Sequence, residues 1–278
     1  MTKKSIHFTK MAGAGNDFLV IEAQNGSDYK KLALKACDRT NGVGADGILI
    51  LDKSKKADYR MRIINADGSE AEMCGNGARC IAAYITQNKK PSKKLFSIET
   101  LAGTILGEAK GEMAHVRLSD PTSYRPSIPL TLSGRDIHVH YIDTGVPHTI
   151  VYVKGLKNID VNAIGPQIRY HKNFSPRGTN ANFVEQIKDD LVAVRTYERG
   201  VESETRACGT GSVAAGLVSY LQIHPEVLKK DVKKARMNVL TASGETLEVT
   251  FDCINGKITN VWLKGSAKFI AEGNYFVH

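Results

Sequence analysis

Two short segments of this 278-residue chain combine residue types that can move protons. Cys74-Gly75-Asn76-Gly77 and Cys208-Gly209-Thr210-Gly211 each place a cysteine directly before Gly-x-Gly, at the head of an apolar stretch of helical period. A cysteine at a helix start faces backbone N–H groups without an intrahelical partner and a dipole worth about half a positive charge. Both favour the thiolate, moving a thiol from a pKa of about 8.5 toward neutrality and making it a usable base. The glycines let a ligand approach the same N–H groups, which suit a carboxylate. With one sulfur as thiolate and the other as thiol, such a pair takes a proton from one face of a carbon and returns one to the opposite face. Inversion at a carbon alpha to a carboxylate follows, with N–H groups placed to stabilise the charge that develops there.

The segments belong to an internal repeat. Glu70-Ala71-Glu72-Met73 leads into the first and Glu204-Thr205-Arg206-Ala207 into the second, so a glutamate stands four residues before each cysteine. Their separation, 208 − 74 = 134 residues, is close to half the chain, as duplication of one domain would leave. The expectation is two similar domains, each with a Cys-bearing central helix, the equivalent helix ends meeting across the interface. The boundary is expected near Pro121 to Pro129, where Pro121, Pro126 and Pro129 interrupt the strand pattern.

The elements that must position these segments are mostly strands. Short alternating runs broken by Gly, Asn and Asp dominate; Tyr59 to Ile63 and Arg135 to Tyr141 predict half-buried antiparallel strands. Hairpins are expected at the end: Asn238 to Ala242, a turn at Ser243-Gly244, Glu245 to Phe251, a turn at Asn255-Gly256, then Lys257 to Leu263. Helices are expected over Tyr29 to Asn41, Cys74 to Asn88, Asp160 to His171 and Cys208 to His224. Trp262 is expected in the core.

Composition narrows the class. Hydrophobic residues at 42% and charged residues at 24% are ordinary globular values, and mean hydropathy is −0.25. No apolar run nears the roughly 18 residues of a membrane helix. Met1-Thr2-Lys3-Lys4 is basic, but the alternation from Ser5 to Lys10 leaves no apolar signal core after it, so a cytoplasmic chain is expected. The net charge of +9 comes with lysine clusters at 53–56, 89–94 and 229–234, between periodic segments and without interleaved aromatics. They predict solvated loops rather than a nucleic-acid surface. Five cysteines exclude a fully paired disulfide framework, and no CxxC pair occurs; zinc is not expected, and Cys37, Cys80 and Cys253 are expected to be structural.

Further blocks carry a resemblance. Ala12-Gly13-Ala14-Gly15-Asn16-Asp17-Phe18, Asn65-Ala66-Asp67-Gly68-Ser69-Glu70 running into the first cysteine segment, and Tyr197-Glu198-Arg199-Gly200 before the second resemble the diaminopimelate epimerase family, in order and spacing from Phe8 to the C-terminal segment. The resemblance implies an α+β fold of two pseudo-symmetric domains, each a curled, mostly antiparallel sheet around a central helix, with the active site in the cleft between them. The halves would be residues 1–121 plus 267–278, carrying Cys74, and 122–266, carrying Cys208. It implies epimerisation of L,L-diaminopimelate to the meso form in lysine and peptidoglycan precursor synthesis, with no pyridoxal phosphate and no metal. Cys74 and Cys208 would be the acid/base pair, with His148 and Glu198 beside the sulfurs setting their protonation. Asn16 would contact the reacting ammonium, the N–H groups at Gly75, Asn76, Gly209 and Thr210 the reacting carboxylate, and Asn65, Asn180 and Arg199 the distal amino-acid end. The partner is a small amino acid, neither nucleic acid nor membrane, and a homodimer is compatible.

Three departures bear on the substrate. Val146 stands where the family often has Asn, Gly47 replaces a Gln, and the loop from Glu198 to Cys208 is one residue longer, with Glu202-Ser203 for a single Gly. They leave open a racemase of the same fold acting on another amino acid. A thiol redox sensor, using Cys74 and Cys208 as a reversible disulfide, is the alternative from another class.

Overall fold

The computed structural model describes residues 5–277, so the basic Met1 to Lys4 segment lies outside the described residues. The chain forms two compact units, one running to Arg117 and including the residues from Lys264, the other from Leu118 to Leu263.

The first unit opens with β1 (Ser5–Gly13) and β2 (Asn16–Glu22), joined by a tight turn in which Ala14 and Gly15 have φ of 50° and 94°. That turn sets Asn16 opposite Gly13, at the first position of β2. Then come α1 (Tyr29–Ala36), β3 (Gly47–Asp52), β4 (Tyr59–Asn65), the two-residue β5 (Glu70–Ala71) and α2 (Gly75–Tyr84), which continues as a π turn over Ile85–Lys89. β6 (Phe96–Thr100), β7 (Gly103–Lys110) and β8 (Met113–Arg117) follow.

The second unit holds β9 (Thr122–Leu132), β10 (Arg135–Asp143), β11 (Pro147–Tyr152), α3 (Val161–Arg169), β12 (Asn180–Lys188), β13 (Leu191–Glu198) and β14 (Ser203–Thr205). It continues through α4 (Gly209–Ile223), β15 (Val232–Leu240), β16 (Thr246–Ile254) and, up to Leu263, β17 (Lys257–Ser266). The last strand, β18 (Lys268–Phe276), pairs antiparallel with β1 in the first unit.

The pairing repeats. β2 runs parallel to β3, β3 antiparallel to β4, β4 antiparallel to β5 and parallel to β6, and β6 antiparallel to β7. β11 through β16 give the same sequence of pairings. The parallel pairs need crossovers, supplied by α1 and α2 in one unit and α3 and α4 in the other. Strands contact α2 from β1, β2, β3, β4, β7 and β8, and α4 from β10 to β13, β15 and β16. The fold is α+β, each unit a mostly antiparallel sheet around one central helix.

Burial explains the elements. All ten residues of α2 are buried, and α4 is apolar nearly all round, as a helix wrapped by sheet requires. β3 is a continuous apolar run, Gly47-Ile48-Leu49-Ile50-Leu51, because helices cover both its faces. On one face Leu32, Ala33 and Ala36 of α1 pack on Ile6, Phe8, Leu19, Ile21, Ile48 and Ile50. An eight-residue helix is marginal alone, so this burial, about 2 kcal/mol for a side chain such as Leu32, holds α1 in place.

The structure corrects four expectations. The first helix ends at Ala36 rather than Asn41, because the Asp38 carboxylate accepts from Thr40 N (2.8 Å) and Asn41 N (2.5 Å), turning the chain away. Pro126 and Pro129 do not break the strand pattern: they lie within β9, beside register shifts against β10 and positive-φ serines at 123 and 127 that accommodate them. The cluster at 229–234 is partly strand, with Lys233 and Lys234 exposed on β15. Trp262 is half-buried on β17, its ring N–H donating to Asn260 Oδ1 at 2.9 Å, and is not a core residue. Cys37, Cys80 and Cys253 are buried free thiols; burial pushes Cys37 up to about 12 and raises Cys253. No helix is long and apolar enough to cross a membrane.

Candidate active site

In the first unit Cys74 is the N-cap of α2. Its backbone is extended (φ −144°, ψ 115°), and its Sγ accepts from Gly77 N at 3.4 Å. Intrahelical bonding begins at Ala78 N to Cys74 O (2.8 Å), so the N–H groups of Gly75 and Asn76 precede it. Asn76 is buried and donates to Asn16 Oδ1 (2.7 Å), while Asn16 donates to Asp46 Oδ2 (2.9 Å). The buried Arg79 donates to Asn76 Oδ1 (3.0 Å) and to the carbonyls of Gly75 and Ser266 (both 3.4 Å). Arg39 bridges Asp46 (2.7 Å) and Asp17 (2.8 Å), and Lys10 reaches Asp17 at 3.2 Å. Burial alone would raise Asp17, but Arg39 and Lys10 outweigh it and hold its carboxyl below the usual range. The first Cys segment and Asn16 are thus joined by one network of amides and guanidinium groups. Asn65 ends β4 with its amide on Ser69 Oγ (2.9 Å).

In the second unit Cys208 caps α4 in the same way: extended backbone (φ −108°, ψ 116°), Sγ accepting from Gly211 N at 3.4 Å, intrahelical bonding from Ser212 N to Cys208 O (2.8 Å). Its surroundings differ. Thr210 Oγ1 lies 3.5 Å from Cys208 Sγ and 3.0 Å from His148 Nε2. Glu198 closes β13, hydrogen-bonded by Thr205 Oγ1 (2.9 Å) and by the Cys208 side chain. Burial raises the Glu198 carboxyl against both hydrogen bonds, so it holds a proton more readily than an ordinary glutamate. His148 is fully buried on β11; desolvation, helped by the Arg199 guanidinium, takes its pKa down to about 3 and keeps the ring neutral.

The repeated glutamates have one job in both units. Glu70 takes Arg62 through Nε (2.7 Å) and Nη2 (3.0 Å); Glu204 takes Arg195 through Nε and Nη2, both at 2.7 Å. These clamps tie the short strand before each cysteine to the long strand beside it. The arginine-to-glutamate spacing is 8 residues in one unit and 9 in the other, so the turn of the second unit is one residue longer than that of the first. There Glu202 has φ 58°, and its carboxylate takes Gly200 N (3.0 Å) and Arg169 (3.2 Å), fixing the longer turn to the end of α3.

Geometry also refines single residues. His148 Nε2 meets the Thr210 hydroxyl, which in turn lies 3.5 Å from the Cys208 sulfur. The Asn180 side chain is used on backbone, donating to Pro147 O and accepting from Arg199 N (both 2.8 Å), so it braces Arg199. Arg199 is half-buried, with Nη1 on Arg177 O (3.2 Å). At Gly47 a Cβ would come within 2.7 Å of Ile64 O, so this backbone accepts no side chain there. Sequence reasoning did not single out Asn182, Thr196, Asp46 and Arg79, which hydrogen-bond directly or through one another to residues of these segments, or Thr144, whose hydroxyl donates to Thr210 O at 3.3 Å. Asn182 was open to detection: two residues from Asn180, it shares the same face of β12, next to Ala181, Phe183 and Val184.

Among the described residues no group of three or more His, Cys, Asp or Glu is arranged to hold a metal. A cleft of about 220 Å³ beside α1, lined by Ile6, Ser27, Lys31, Leu32 and Tyr275 among others, includes neither cysteine.

The chain is similar to known proteins over nearly its whole length. The family model described as Diaminopimelate epimerase matches residues 8–122 and 140–270. The diaminopimelate epimerase of Aquifex aeolicus is 39% identical over 282 residues, covering 96% of this chain and 97% of that protein. That of Carboxydothermus hydrogenoformans is 37% identical, covering 98% and 100%. Among solved structures, a hydroxyproline epimerase from Agrobacterium vitis has a TM-score of 0.73 at 14% identity, covering 99% of this chain and 93% of its own. A PhzF-family phenazine biosynthesis protein from Bacillus anthracis has 0.70 at 19%, covering 99% and 100%. At such identities these two share the fold.

Proposed function

The chain belongs to the diaminopimelate epimerase family, and from that premise we propose that it interconverts L,L- and meso-diaminopimelate with Cys74 and Cys208 as the two bases. The observation that carries the reading is the duplicated helix start, in which each sulfur caps its helix and accepts the N–H three residues on. One thiolate removes the α-proton, the carbanion delocalises into the carboxylate, and the other thiol supplies a proton to the opposite face. Each turnover exchanges which sulfur is thiol, so the reverse reaction uses the same groups. The N–H groups at Gly75-Asn76 and Gly209-Thr210 receive the carboxylate as its charge grows. Asn16, fixed at both ends, orients the ammonium, and the Arg199 guanidinium takes the distal carboxylate. No pyridoxal phosphate enters this chemistry. The place of action is the cytoplasm, in lysine and cell-wall precursor synthesis.

The test is proton NMR of the fully reduced protein with L,L-diaminopimelate in D2O. Loss of the α-proton signal with growth of the meso isomer is expected, and neither Cys74→Ala nor Cys208→Ala should complete the conversion. Exchange that persists undiminished in either variant would overturn the two-base assignment. A second reading, a racemase of another amino acid, draws on Val146 and on the clash that keeps position 47 a glycine, which together leave two fewer polar contacts. Side-by-side assays decide: faster turnover of any other L-amino acid selects it.

A further inference from the structure

We propose that Asn182 is a positioning residue of the reaction: its amide holds His148 in the tautomer protonated at Nε2, which turns the Thr210 hydroxyl hydrogen toward the Cys208 sulfur. The inference deepens the reading of Cys208 as an acid/base and rests on it.

Asn182 is fully buried in β12. One end of its amide lies 3.0 Å from Thr149 O and 3.4 Å from Asn180 O, and the other accepts from Thr196 Oγ1 at 3.0 Å. Two carbonyls can face only the NH2 end, so the orientation of the amide is settled by its partners. That NH2 is 3.1 Å from His148 Nδ1, which must therefore accept. In a neutral ring the proton is then on Nε2, pointing at Thr210 Oγ1 at 3.0 Å. The threonine oxygen accepts it, and its single hydrogen is left for Cys208 Sγ at 3.5 Å. The chain from Thr196 through Asn182, His148 and Thr210 thus delivers a donor to the sulfur, favouring the thiolate. Facing this chain are the Arg199 guanidinium near His148 and the Glu198 carboxyl at Cys208.

The other unit supplies the control. In the repeated pairing Gly47 lies opposite Asn65 in the first unit, as Asn180 precedes the Ala181–Tyr197 pair in the second, so Leu49 corresponds to Asn182 and Phe18 to His148. The glycines agree: a Cβ at Gly77 would meet Leu49 Cδ2 at 2.9 Å, and one at Gly211 would meet Asn182 Oδ1 at 2.6 Å. The same site under the helix start is filled by leucine in one unit and by a buried amide in the other. Packing alone does not ask for the amide.

Three readouts test this. In the unmodified protein, long-range 1H–15N NMR should show His148 Nδ1 unprotonated at neutral pH; a protonated Nδ1 overturns the proposal whatever any variant does. Asn182→Leu and Thr210→Val should each slow iodoacetamide alkylation of Cys208 at pH 7 by about threefold, since thiolate is lost but the remainder is more nucleophilic, with Cys74 unchanged. Both should lower kcat by about tenfold with KM within about twofold, and Thr210→Ser, which keeps the hydroxyl, should restore it. Should Asn182→Leu fail to fold, the threonine pair decides: Thr210→Val equal to Thr210→Ser at Cys208 overturns the relay. NMR and alkylation need no substrate, so an unmodified protein inert toward diaminopimelate counts against the proposed function alone.

Discussion

The two units share a backbone and differ in the side chains laid on it. Each has a cysteine N-cap, a glycine three residues on and an Arg–Glu clamp on the strand leading in, with matching strand order. In the first, the helix start is surrounded by neutral amides and Arg79, a set suited to holding a ligand. In the second, Glu198 and Thr210 meet the sulfur and His148 stands behind Thr210, a set suited to managing a proton. The repeated device is a cysteine N-cap whose sulfur accepts the N–H three residues on; what differs between the copies is the side chains gathered around it.

Glycine replacements break the comparison hardest. Alanine at Gly211 would put a Cβ 2.6 Å from Asn182 Oδ1 and 3.2 Å from Cys208 Sγ, both on buried residues. Gly211→Ala should lower kcat about a hundredfold. Gly77→Ala meets the end of the Leu49 side chain, and its loss should stay within about tenfold, as the same progress curves would show.

Glu198→Gln separates activity from stability. It should lower kcat at least about tenfold. The folded carboxyl has its pKa raised, so Glu198 contributes most to stability below the unfolded value of about 4.3 and opposes folding as pH rises through the folded one. The Gln variant should therefore melt higher than the parent at pH 7, with the gap closing near pH 4.

The clamps are a finer test. Arg62→Leu should cost about 1 kcal/mol, as half-buried ion pairs do. Arg195→Leu should cost about 2 kcal/mol, because Arg195 also donates to Leu156 O (2.9 Å) and Ile159 O (2.7 Å). Equal shifts in thermal midpoint would make the two units mechanically alike. His148 gives the comparison a pH axis. Its folded pKa is lowered to about 3, so the protein should lose stability as pH falls from about 6.5 toward that value. His148→Phe, carrying the residue of the other unit, should flatten that slope in denaturant titrations.

Much of this was legible in one dimension. The repeated Cys-Gly-x-Gly segments are N-caps because helix starts need an acceptor for their first N–H groups, a purely local demand. Asn255-Gly256 is a positive-φ turn (50° and 71°), as its residue types require. The backbone partners of Asn180, Pro147 O and Arg199 N, could not be read from sequence, because they lie 33 and 19 residues away; Trp262 misled because alternation marks a face without saying what covers it.

What the sequence determined by itself was the type and period of the elements, the duplication and the two sulfurs, all carried by residues within a few positions of each other. Only the tertiary structure decided the orientation of the Asn182 amide, the tautomer of His148 and the raised carboxyl of Glu198. Those properties come from groups on β11, β12, β13 and α4, tens of residues apart in the chain, and from burial that no single segment creates alone.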